Sequence, residues 1–482
     1  MDSLARGSAL AIRGGAIRVV GYAAGVVISL GTATILIRHL GVSGFGRYVT
    51  VTSLVALIGG VTEAGIHVYG IREFARRPEP ERGQVMGRLL AMRLTMSAAG
   101  VACVALFGLG VGYTQVIVLG TLVAGAGLMV QVIADVLSIS LQSELRLGRL
   151  TVVDLSRRVA ALVLVAVLAA LVGASVLPFL AASTAAATVA LALLAWMVRS
   201  SATIRLSFDP RGWRELFGDT LLYAVAMSIG AVYFYITVVV MSLIASANQV
   251  GLFATSFRVT QVALGIPVLL LTAIFPLMSR QDATDGERAR SAAGKVFTVA
   301  VIGGVWLSLA MAIGANFVID VVAGSRAHGA VSVLRIQALV LTASFVSTSS
   351  ALGLISLRRY RPMVIASSSA LALNIVLGLI LIPALGAKGG ALADVVVETL
   401  VAIVLTLTLM RAGPRHAITA SLLPPVLLAA ALSVTVLLIP IGSLAQAIGA
   451  TGIYFAVLLI TGAIPGDVIA AARRARVLDT LS

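Results

Sequence analysis

A chain of 482 residues that is 60% hydrophobic and only 11% charged, with a mean hydropathy of +1.08, carries more apolar surface than any core could absorb, which excludes a water-soluble globule. Its formal charge of +16 and pI near 11.1 would point to nucleic acid in a soluble protein; in so apolar a chain they read as the basic loops of a membrane protein, and no nucleic-acid partner is expected. The single cysteine, Cys103, excludes a disulfide framework, a thiol metal cluster and a redox pair.

The first apolar stretch, 19–37, continues past the length of a signal-peptide core. It ends at Arg38 and His39 without a small-residue cleavage pattern, so it reads as a retained helix. Further along, uncharged runs of 38 to 50 residues are too long for one crossing. Each contains breakers, at 108–112, 173–178, 246–248 and 440–446, that divide it into two helices. The expected spans are 19–37, 48–70, 90–111, 115–139, 155–172, 177–198, 220–244, 250–278, 295–319, 334–357, 362–383, 387–410, 419–440 and 447–469. The runs lack the alternation of a β-barrel strand, so the fold class is an all-α integral membrane protein of about 14 transmembrane helices.

The basic residues test this drawing, because they did not enter it. With the N-terminus in the cytoplasm, 29 of the 35 Lys and Arg fall in inside segments, among them 72–93 and 146–158. Only Arg38, Arg47, Arg258, Arg326, Arg335 and Lys388 lie outside or within the membrane. Both termini are therefore expected inside. The outside loops are short, which disfavours a membrane-embedded glycan polymerase or ligase with an external catalytic domain. No GxxxxGK[ST] loop occurs, so the chain is expected to be no ATP-driven machine and no enzyme, without cofactor or metal.

A shift of 205 residues lays Gly46-Arg47-Tyr48-Val49-Thr50 over Gly251-Leu252-Phe253-Ala254-Thr255, each just after an outside turn. The first two spans then correspond to the seventh and eighth. An even number of intervening helices gives two parallel-repeat lobes of six, a transporter feature. The expected division is a six-helix lobe at 1–198, a cytoplasmic linker at 199–214, a second lobe at 215–410, and appended helices 13 and 14 with a basic tail at 411–482.

Three segments resemble the Wzx-type polysaccharide flippases of the multidrug/oligosaccharidyl-lipid/polysaccharide exporter superfamily. They are Ile37-Arg38-His39-Leu40-Gly41 through Gly46-Arg47-Tyr48 to Glu63 and Arg72; Tyr233-Phe234-Tyr235-Ile236-Thr237 through Phe257-Arg258 to Pro276; and Asn374-Ile375-Val376 through Pro383 to Gly389-Gly390. The resemblance spans nearly the whole chain. It implies a flippase carrying a lipid-linked oligosaccharide across the bacterial plasma membrane by alternating access, with membrane lipid and polysaccharide polymerases as partners. Many relatives have an Arg and an Asp where this chain has Tyr235 and Thr237, and Gly378 replaces a second Asn beside Asn374. A multidrug or organic-cation antiporter of the same superfamily is the alternative; its cavity should be acidic, whereas arginines dominate here.

An anionic pyrophosphate head needs cations hidden from lipid, and the planar guanidinium fork suits phosphate oxygens. Arg258 is the sharpest candidate, about 12 Å along its expected helix, where an unpaired charge costs about 2.5–3.5 kcal/mol. Arg38 and Arg47 flank the first outside turn, as a receiving rim or as snorkelling side chains. Arg18 has the same two readings at the inner end. Asn374 and Tyr235 complete the substrate-binding candidates, Tyr235 as a surface for sugar rings. For ion coupling, Glu63 and His67 are spaced i and i+4 on one expected helix, as a proton relay or a helix-end polar pair. Asp394 and Glu398 repeat that spacing with two carboxylates, which cannot share a dry site unless one is protonated or a cation neutralises them. Asp135 reads as structural.

Overall fold

The computed structural model describes residues 2–63, 65–144, 146–199, 206–279, 286–357, 359–412 and 422–463; side chains are not described for 2–20, most of 210–227, 267–293 and 295. Among the described residues every regular element is helical: α1 (Asp2–Glu63), α2 (Ile66–Arg76), α3 (Glu79–Gly110), α4 (Gln115–Ser143), α5 (Leu147–Leu171), α6 (Val176–Val198), α7 (Pro210–Ile244) and α8 (Ala247–Ser279). There follow α9 (Gly286–Ile313), α10 (Ala315–Val322), α11 (Gly329–Ser356), α12 (Arg361–Leu385), α13 (Ala387–Ala412), α14 (Leu423–Val434), extended by a 3-10 turn to Leu438, and α15 (Ser443–Ile460).

With α1 counted as two and the short α2 and α10 set apart, the helices among the described residues number fourteen, as expected. At Gly41 the backbone takes φ 67° and ψ 174°, a region essentially reserved for glycine, and the helix folds into two arms. The first arm packs along α5, Gly21 on Thr151, Gly25 on Arg158 and Gly31 on Leu162. The second lies along α4, with Val51 on Gly120 and Leu128 on Gly59. Among the described residues nine stretches are long and apolar enough to cross a membrane, one of which, Gly21–Arg76, contains both arms. The protein is a multi-pass membrane protein.

Two expected spans end early, while α3, α5 and α7 begin well before their expected starts. The second span, read as 48–70, stops at Glu63, because Gly65 adopts φ 76° and starts α2 as a separate amphipathic helix. The ninth, read as 295–319, stops at Ile313, and α10 follows after Gly314. α2 buries Ile66 and Phe74 in a cluster with Met86, Leu89 and Val136. Beyond it Arg77 bonds Glu73 at 2.8 Å and Glu81 at 3.0 Å, which together hold its guanidinium above the ordinary pKa.

Contacts divide the chain into two compact units, 1–255 and 256–482, the division falling inside α8. In the first, α7 packs against α1, so contacts group the helices differently from the repeat. The repeat has a direct expression within this unit. A Cβ at Gly46 would strike the Ala247 carbonyl oxygen, and one at Gly251 would strike that of Val42. Each member of these pairs lies 205 residues from its counterpart in the other, so the two repeat-related helix starts close on one another reciprocally, as about a two-fold axis. In the second unit α11 packs on α9 and α13, α12 on α13, and α14 and α15 on α9. Tyr454 of α15 donates its hydroxyl to the Ile302 carbonyl at 3.0 Å.

Gly41→Ala should destabilise the protein by about 1–3 kcal/mol, the cost of holding a Cβ in this region of backbone space. Gly230→Ala, in open space on α7, should be neutral or stabilising by about 0.5–1 kcal/mol. Thermal unfolding of both variants in detergent measures the contrast.

Candidate functional site

Charges within apolar helices must be paired or hydrated, and the first unit pairs them in a chain. Arg93 of α3, 2% exposed, donates from Nη2 to Asp135 Oδ2 on α4 at 3.1 Å. The other oxygen of Asp135 accepts from Gln131 Nε2 at 2.7 Å, and Gln131 Oε1 accepts from Arg157 of α5 at 2.5 Å. The adjacent Arg158 donates to the Gly25 carbonyl and, at 2.5 Å, to Ser29 on the first arm of α1. Three helices are thus tied through one line of polar groups, and Arg158 separately ties α5 to α1. Asp135, about 12 Å from the end of α4, and Arg157, about 15 Å from the start of α5 at 1.5 Å per residue, lie well inside their helices.

This line borders a cavity of about 540 Å³. α1 contributes Gly21, Tyr22 and Glu63, and α2 contributes His67. Ser138 and Gln142 extend the α4 wall, Thr151 and Asp154 the α5 wall, and Leu194 of α6 closes one side. Gln142 Nε2 lies 2.7 Å from His67 Nε2 in a hydrogen bond whose sense depends on the ring's tautomer. The ring's Nδ1 is buried without a hydrogen-bond partner among the described residues, as are Nε and Nη1 of Arg93.

Glu63 and His67 line this cavity together, but not as an i, i+4 pair on one helix. The break at Gly65 separates them, and among the described residues no hydrogen bond or ion pair joins them. Asp135, read as structural, is the hub of the polar line. Arg93, Arg157 and Arg158 had been counted in inside loops; the structure carries α5 back to Leu147 and places all three in the helix bundle, partly or fully buried. An arginine pair opening an apolar run is the signal that sequence reasoning absorbed into the loop count.

In the second unit the two carboxylates of α13 diverge. Asp394 accepts from Asn374 Nδ2 of α12 at 3.1 Å, Asn374 being buried, while Glu398 accepts from Ser347 of α11 at 2.8 Å. Arg258 is half-buried about 16 Å along α8. Its hydrogen bond among the described residues is to Gln261 at 3.2 Å, one turn on, and no carboxylate there pairs with it. Arg38 and Arg47 are exposed on either side of the Gly41 fold, beside the His39 ring at 5.3 Å from Phe179. Tyr235 on α7 meets Phe234 edge-on at 5.0 Å. Arg18 lies outside the described side chains.

A model of the polysaccharide biosynthesis proteins matches residues 11–281, more than half of the chain. The chain belongs to that family. Its fold is that of known membrane transporters. The structure of the lipid II flippase MurJ in an inward closed conformation aligns with a TM-score of 0.76 at 11% identity, covering 92% of this chain and 98% of that one. An inward-facing multidrug resistance MATE transporter of the MOP superfamily aligns at 0.63 and 16% identity, over 80% of this chain and 94% of that one. A MOP superfamily transporter from Pyrococcus furiosus aligns at 0.56 and 17% identity, over 84% and 95%. Among curated proteins no relative matches the sequence.

Arg93→Met should cost about 3–5 kcal/mol, since it leaves Asp135 charged and stranded. Arg258→Met removes a side chain held only by a local bond and should shift stability by less than about 1 kcal/mol. Parallel melting curves in one detergent test the expected ranking.

Proposed function

We propose that this protein is a flippase that moves a polyprenyl-pyrophosphate-linked oligosaccharide across the bacterial plasma membrane for cell-surface polysaccharide synthesis, with both termini in the cytoplasm. The observation that carries this reading is the match to the polysaccharide biosynthesis family, taken with Arg258, a guanidinium deep in an apolar helix with no carboxylate partner among the described residues. A cation in that setting is available to a phosphate group, and five N–H donors in a planar fork match two phosphate oxygens at once. Arg38 and Arg47 receive the head group at the far end, and Asn374 and Tyr235 contribute polar and stacking contacts. The repeat halves 1–198 and 215–410 are the two moving bodies of alternating access, with the reciprocal contact at Gly46 and Gly251 released when the outer end opens. The carboxylates Asp394 and Glu398 are the groups through which an ion gradient would drive it. The protein is a carrier and makes no covalent change in its cargo. Polysaccharide polymerases take the product on the outer face. A cationic-drug antiporter is the less suitable reading, because an arginine of this kind repels its cargo.

The test is transbilayer movement of a fluorescent undecaprenyl-pyrophosphate oligosaccharide in proteoliposomes. The native chain should move it, and Arg258→Ala should slow it by about tenfold or more, since a charge-assisted hydrogen bond contributes about 1.5–3 kcal/mol and 1.4 kcal/mol is a factor of ten. Movement of cationic drugs with the glycolipid left in place would reverse the assignment.

A further inference from the structure

The cavity of the first unit has a composition that the phosphate-binding reading does not use. Its volume, about 540 Å³, is that of a small-molecule site. A desolvated ion needs donors converging at a single point. Among the described residues no three His, Cys, Asp or Glu side chains gather closely enough to hold a metal. An anion is not favoured either: among the described residues Glu63, Asp135 and Asp154 face Arg157 and Arg158, with Arg93 behind Asp135, so the charges there balance.

What the walls do offer is a mixture of planar donors and acceptors at fixed positions. Asp135, Gln131 and Arg157 are locked by their own hydrogen bonds, so little side-chain freedom remains to be lost on binding. The carboxylates of Glu63 and Asp154 are exposed to the cavity and have no partner among the described residues, leaving acceptors ready for hydroxyl donors. Tyr22 adds a partly exposed ring whose face is apolar. Neighbouring hydroxyls on a ring, each both donor and acceptor, with one apolar face, are the complement of that set.

We infer that the cavity bounded by α1, α2, α4 and α5 is a carbohydrate subsite, taking one or two neutral sugar residues, with Asp154 and Glu63 accepting from their hydroxyls and Arg157 donating. The inference rests on the flippase reading for the source of the sugar, the glycan of the lipid-linked cargo. It is separate from that reading in its residues, none of which touches the phosphate in the proposal above. A proton relay through His67 is the competing use of the same walls.

The test has a binding arm and a transport arm. In the first, saturation-transfer NMR measures binding of free chitobiose, maltose, lactose and mannobiose to the full chain in detergent. At least one should bind, and Asp154→Ala and Glu63→Ala should each weaken it by about fivefold, the scale of one lost hydrogen bond. Among the described residues Asp154 has no partner to strand, so Asp154→Ala should melt with the native protein. In the second arm, proteoliposomes are given undecaprenyl pyrophosphate with and without chitobiose. Asp154→Ala should slow the sugar-bearing lipid and leave the bare lipid unchanged. Binding of no disaccharide, or binding equal in native and variant proteins, overturns the subsite, and does so even if the native chain moves glycolipid and the flippase reading stands. A variant that keeps native sugar affinity and only shifts the pH profile of transport overturns it in favour of the relay. Binding that depends on Asp154 in a protein that moves no glycolipid keeps the subsite and removes the flippase.

Discussion

The pairing of Arg93 with Asp135 is the interaction on which the first unit depends. A guanidinium 2% exposed between apolar helices is tolerable only beside a carboxylate. Asp135 holds its place because Gln131 donates to its other oxygen, and Gln131 is in turn fixed by Arg157. The line binds α3, α4 and α5 through groups that oppose any sliding of one helix on another. It also keeps a polar cavity open inside an apolar bundle, since a wall of ionised side chains cannot collapse onto itself without losing hydration.

The second unit handles its charges in another way. Asp394 and Glu398 stand one turn apart, yet each takes a neutral donor from a different neighbour, Asn374 on α12 and Ser347 on α11. Their repulsion is lowered by separation onto two contact faces. Hydroxyl pairs such as Ser350 with Thr406 and Ser308 with Thr342 join α11 to α13 and α9 in the same manner. Neutral hydrogen bonds of this kind cost less to break than a buried ion pair.

Much of the architecture was legible in the sequence. Helices in hydrocarbon must satisfy their own backbone, so length and hydropathy alone delimit crossings. The errors fell at helix ends: α3, α5 and α7 reach back into charged segments, Gly65 starts a new helix after Glu63, and Gly314 interrupts an apolar run where the hydropathy does not change. The candidate site was less legible. Glu63 and His67 reach one cavity across a helix break, and Arg157 and Arg158 join it from a segment that charge counting assigns to a loop.

By itself, then, the sequence determined the membrane setting, the number of crossings and the repeat of Gly46 in Gly251, because each follows from composition or spacing along one chain. Only the tertiary structure decided that those two glycines close on one another's repeat partners, that Arg93 is buried against Asp135, and that Arg258 meets no carboxylate among the described residues. The physical reason is common to all three. Hydropathy fixes whether a residue lies within a helix that crosses the membrane, while the partner of a charge or the neighbour of a glycine is set by which helix faces which, and that is a property of the packed bundle.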